Sequence, residues 1–135
     1  MKIEIPLTQV QQFLLTNYHI NIAFKNIGAD KIEVKYFVSM VLTIMEVKKD
    51  EIVLRYQLNG FVNLLVKGAH FLFRNKLKDA PFDWKLGTRE IIVNVMKVPA
   101  LSSFVKLFYI SEMHFVNESI LLVLNSNEDE AIINK

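Results

Sequence analysis

The sequence predicts an α+β fold, a curved and mainly antiparallel sheet of five to seven strands packed against two or three helices. Three observations lead there. Several stretches alternate apolar and polar residues with the period of two of a strand, whereas other segments repeat with the period of about 3.6 of a helix. With 135 residues, the chain suits one domain with a real core. Its hydrophobic fraction of 52% exceeds what an ordinary core of that size uses, so some apolar surface must line a cavity, meet another subunit or rest on a membrane.

Taken in order, residues 2 to 5 read as a short strand ended by Pro6. Thr8 is placed to cap a helix with Val10, Phe13, Leu14 and Tyr18 on one side and Gln9, Gln12 and Asn17 on the other. The β-formers in residues 13 to 24 leave a strand open as the alternative for residues 8 to 18. Ile20, Ile22 and Phe24 alternate with Asn21, Ala23 and Lys25 as a strand, and residues 26 to 30 form a turn around Gly28.

From Ile32 to Val47 the alternation runs without a visible break, and from Val38 onward only Ser39 and Thr43 interrupt the apolar residues up to Met45. A flat strand of that length would exceed about 50 Å, so a bend or bulge is expected, with Ser39 the weakest point. Residues 40 to 45 are expected to be covered on both faces. Lys48-Lys49-Asp50-Glu51 then makes a wet hairpin tip, leading into a strand at 52 to 58.

Residues 61 to 77 carry the strongest helical signal, with Asn63, Lys67, His70 and Arg74 on a narrow polar stripe and apolar or small residues between them. Residues 78 to 88 read as a loop in which Phe82 and Trp84 stand among Lys78, Asp79, Asp83 and Lys85. Ile91, Val93 and Val95 predict a strand. Pro99 opens a short helix with Leu101, Phe104, Val105 and Phe108 facing in. A final hairpin, 110 to 116 with 120 to 125, turns at Asn117-Glu118-Ser119, its very apolar second strand belonging inside a sheet. The expected domain spans 1 to 125, followed by a partly disordered acidic tail at 126 to 135.

Charge and composition narrow the function. The net charge is +2. Residues 67 to 106 hold six Lys and two Arg against three acids, while residues 107 to 135 hold one Lys against five acids. Such mixed signs disfavour nucleic acid, and the strand surfaces lack the interleaved basic and aromatic side chains that stack bases. The absence of cysteine removes thiol chemistry. No apolar run reaches the length of a transmembrane helix, and the N-terminus does not read as a signal peptide, so cytoplasmic residence is expected.

Catalytic motifs are missing. His19, His70 and His114 have no metal-ligand spacing, and no serine lies in a nucleophile frame. Glu112 and His114 leave the same strand face, where a polar surface explains them as well as a general base. No metal and no cofactor are therefore expected, and a binding role is expected ahead of an enzymatic one, which stays open as a third reading.

The expected function is a small binding module for a hydrophobic or lipid-like ligand with an anionic head. Met40, Leu42, Ile44, Leu65 and Leu72 would line its apolar pocket. Lys67, His70, Arg74, Lys78 and Lys85 would meet the head group, and Phe82 and Trp84 would close the mouth. The alternative is a homodimeric structural or protein-interaction domain, since an obligate interface absorbs the same apolar surplus. A homo-oligomer is expected as a partner.

Overall fold

A computed structural model describes residues 1–36, 38–58, 80–85, 87–103 and 106–126. Among these residues, nine strands form two antiparallel sheets, one of three strands and one of six. The larger sheet falls within the expected five to seven strands; the smaller one was not foreseen. The expected helix at 61 to 77 lies outside the described residues, as does the acidic tail beyond Ser126.

Strand β1, Lys2–Pro6, turns Ile3 and Ile5 toward the core and runs antiparallel to β9, Ser119–Ser126, with Ile5 opposite Ile120 and Ile3 opposite Leu122. Helix α1, Leu7–Tyr18, follows at once, which settles residues 8 to 18 as helix. Thr8 is not its cap. Pro6, which has no amide hydrogen, occupies the capping position, and the amide of Leu7 donates to the carbonyl of Glu118 at 2.9 Å. At the other end His19 takes a left-handed conformation with φ of 55°, letting the amide of Ile20 reach back to the carbonyl of Leu14. Ile20 and Leu14 bury together, the apolar contact that accompanies such helix ends.

The six-stranded sheet has the order β2, β3, β4, β5, β7, β6. β2 is Ala23–Asn26 and β3 is Lys31–Tyr36. The single long strand expected from 32 to 47 is instead β3 followed by β4, Val38–Val47, which reverses direction so that Tyr36 faces Val38 and Lys35 faces Ser39. The register explains why the reversal is silent in the sequence. Ile32 pairs with Leu42 and Val34 with Met40, even number against even number, and opposite residues share a face, so the alternation passes through the turn in phase.

β4 and β5, Glu51–Leu58, form the expected hairpin around Lys48-Lys49-Asp50. A bulge between Ile44 and Glu46 leaves Met45 opposite no partner. Met45, expected to be covered, stands 47% exposed there. The bulge resets the face so that Met40, Leu42, Ile44 and Val47 all point the same way, against Leu54 and Ile52 of β5.

The loop expected at 78 to 88 contains a strand. β6, Phe82–Lys85, is the edge of the sheet and pairs with β7, Glu90–Asn94. Beyond β7 the chain makes a 3-10 turn, Val95–Lys97, which takes Met96 out of the strand, and a four-residue helical turn, Pro99–Ser102. Phe108, expected on that helix, instead opens β8, Phe108–Val116. β8 and β9 form the final hairpin with Asn117 at positive φ in its turn, and β9 lies between β1 and β8, the interior position its apolar sequence requires.

The two edges of the large sheet, β2 and β6, converge on one place. Leu14 of α1 and Ile20 bury against Phe24 from β2 and against Phe82 and Trp84 from β6. The helix thus spans the gap that a curved open sheet leaves between its edges. The small sheet closes the other side, its Ile110, Phe115, Leu122 and Leu124 joining Ile32, Met40, Leu42 and Leu54 in one core.

Candidate functional site: an apolar cavity

Between these walls lies a half-open cavity of about 260 Å³. Its floor is the inner face of the large sheet. Because residues opposite one another in a ladder share a face, the rows Trp84–Ile91–Leu54 and Phe82–Val93–Ile52 present six side chains to the same interior. Ile32, Val34, Met40 and Leu42 extend that surface. α1 contributes Leu7, Val10, Phe13 and Leu14 from above, and the small sheet contributes Ile5, Met113, Phe115, Ile120 and Leu122 from the end.

The wall is hydrocarbon almost throughout. Every described lining residue is apolar or aromatic, and the polar atoms of Tyr36 and Trp84 contribute next to nothing to its surface. Among the described residues the only buried side chain that carries a polar group is that of Tyr56. Water needs two to four polar partners to be held in such a space, and this wall offers it almost none.

The cavity is half open, so a guest can enter it, and one that fills it would gain dispersion contacts along the wall and stabilise the fold by binding it.

Four of the residues expected at a ligand site meet at the cavity: Met40, Leu42, Phe82 and Trp84. Ile44 packs on the surrounding core without forming part of the wall. Lys85 alternates with Trp84 on β6 and lies exposed on the outer face of the sheet, away from the interior. Leu65, Lys67, His70, Leu72, Arg74 and Lys78 lie outside the described residues. Trp84 is held by the strand ladder and by an edge-to-face contact with Tyr56, ring centroids 6.1 Å apart at 88°. Tyr56 is itself 1% exposed and donates its hydroxyl hydrogen to the carbonyl of Lys85 at 3.4 Å. These contacts fix the orientation of the indole at the cavity wall.

Sequence reasoning missed the walls from α1 and the small sheet as ligand-site residues. The apolar side of α1 was legible, but nothing in its spacing tells a face that lines a void from one that fills a core.

Glu112 and His114 stand on one face of β8, as their spacing suggested, 3.5 Å apart and both exposed. The described residues contain no group of three His, Asp or Glu side chains able to hold a metal ion. Among them, no helix is long and apolar enough to cross a membrane. Dispersion and the exclusion of water are what this interior can supply. Against known proteins, the chain matches no family model, no curated sequence and no solved structure.

Proposed function

We propose that the protein is a small binding module that holds an apolar ligand in its interior cavity. The single observation behind this reading is the wall itself: about 260 Å³ of half-open space lined almost wholly by hydrocarbon. A void of about 150 Å³ lined by Leu, Ile and Phe stays dry and takes up benzene, so a larger one of the same character is ready for a larger guest. The ten phenylalanines and five methionines of the chain suit such a pocket, because they adapt to the outline of different apolar guests.

The reading needs no reaction and assigns no catalytic residue. Lys85 faces away from the cavity, so the anionic-head part of the sequence expectation gains no support from it.

Native mass spectrometry of the purified protein, compared with the same sample denatured, is the test. The expected result is a population carrying a few hundred daltons of extra mass that denaturation releases. A ligand-free dimer whose midpoint of thermal unfolding does not rise with added 1-decanol would place the apolar surplus at a subunit interface and defeat the proposal.

A further inference from the structure

We infer that the buried part of the ligand is a plain hydrocarbon chain of limited length, with any polar group left outside, so that the cavity acts as a ruler of about ten carbons. This inference rests on the binding proposed above and adds the chemical class that the site selects.

Two observations carry it. The first is the polarity of the wall. The rows through Leu54 and Ile52 end at Trp84 and Phe82, α1 faces them with Phe13 and Leu14, and virtually no donor or acceptor is exposed to the interior. A hydroxyl, carbonyl or carboxylate carried into this space would lose its water and find no hydrogen bond, whereas a methylene would gain contacts on every side. The second is the volume. Scaled from the roughly 150 Å³ that accepts six-carbon benzene, 260 Å³ holds about ten carbons. Each methylene transferred from water into such a space strengthens binding about fourfold until the space is full. Beyond that length the added carbons remain in water and contribute little.

The experiment is a calorimetric or competition series of unbranched 1-alkanols from hexanol to tetradecanol, with the matching α,ω-diols. The dissociation constant is expected to fall about fourfold per carbon up to about decanol and then to level off. 1,10-Decanediol is expected to bind at least tenfold more weakly than 1-decanol, because one of its hydroxyls must be buried without a partner. In Val93→Phe, which adds four carbons to the wall, the plateau is expected about four carbons earlier.

Affinity that keeps rising through tetradecanol would show an open groove and overturn the ruler. A diol within threefold of its alkanol would show that polar atoms are accommodated and overturn the selectivity. Either result leaves interior binding of an apolar ligand standing. Failure of every alkanol to bind defeats that reading together with this one.

Discussion

The cavity is walled in two different ways, and the contrast between them says where this molecule is firm and where it can yield. At the small sheet, the wall rests on directional bonds. The amide of Phe115 donates to the carbonyl of Ala29 at 2.7 Å, and the side-chain amide of Asn26 donates to the carbonyl of Asn117. Turns from both sheets are thereby tied together. At α1, the polar side-chain bonds of the helix stay within it, Gln12 to Thr16 and Asn17 to the carbonyl of Phe13. What holds its second half over the gap between β2 and β6 is the burial of Leu14 and Ile20 among aromatic rings.

Apolar contacts are strong in sum but tolerate sliding, whereas a hydrogen bond is lost once its geometry is. Amide exchange is accordingly expected to be slowest in β8 and β9 and faster in α1. Equal protection in both would erase the distinction.

Substitutions sharpen the same contrast. Phe115, only 3% exposed, anchors the small sheet in the core; Phe115→Ala is expected to cost about 3–5 kcal/mol in denaturant unfolding. Leu14→Ala removes the centre of the helix-side closure and should cost less, about 2–3 kcal/mol, while accelerating exchange in α1 more than in β9. Should the order of these two be reversed, the helix would be the firmer wall. Asn26→Ala loses the bond to Asn117 and the one its carbonyl oxygen accepts from the amide of Gly28, for an expected loss of about 1–2 kcal/mol.

Two smaller effects follow. His19→Gly relieves the left-handed backbone at the end of α1 and is expected to raise stability by about 0.5–1 kcal/mol. Val93→Phe fills space that a solid core would not have. Its expected effect on stability is below about 1 kcal/mol in either direction, whereas overpacking a filled interior costs about 1–3 kcal/mol. Thermal or denaturant unfolding of each variant checks these values.

How much of this was legible in the sequence varied with the kind of signal. The β4–β5 and β8–β9 hairpins were legible because charged or turn-forming residues, Lys48-Lys49-Asp50 and Asn117-Glu118, interrupt strong alternation at both. The reversal between Tyr36 and Val38 was not, because no glycine, proline or change of phase marks it. β6 was hidden for another reason: only four residues long, it follows Pro81 and places Asp83 and Lys85 outward, so a charged edge strand reads as a loop. Of the site, Met40, Leu42, Phe82 and Trp84 could be named from their apolar character. The wall from the small sheet could not, since Ile120 and Phe115 are brought to the cavity by links between distant parts of the chain, β9 with β1 and the Phe115 amide with Ala29. Volume left inside a fold depends on how layers meet, which local periodicity does not encode.

Trp84 is the only tryptophan in the chain and lines the cavity, so its fluorescence tests the central claim most directly. The measurement is a titration with 10-bromo-1-decanol, whose heavy atom quenches an indole on contact. The expected result is saturable quenching at one equivalent, reversed by competing 1-decanol. Quenching that is weak, grows linearly without saturating and ignores the competitor would mean that the chain never enters, and would contradict the assignment of this interior as a binding site.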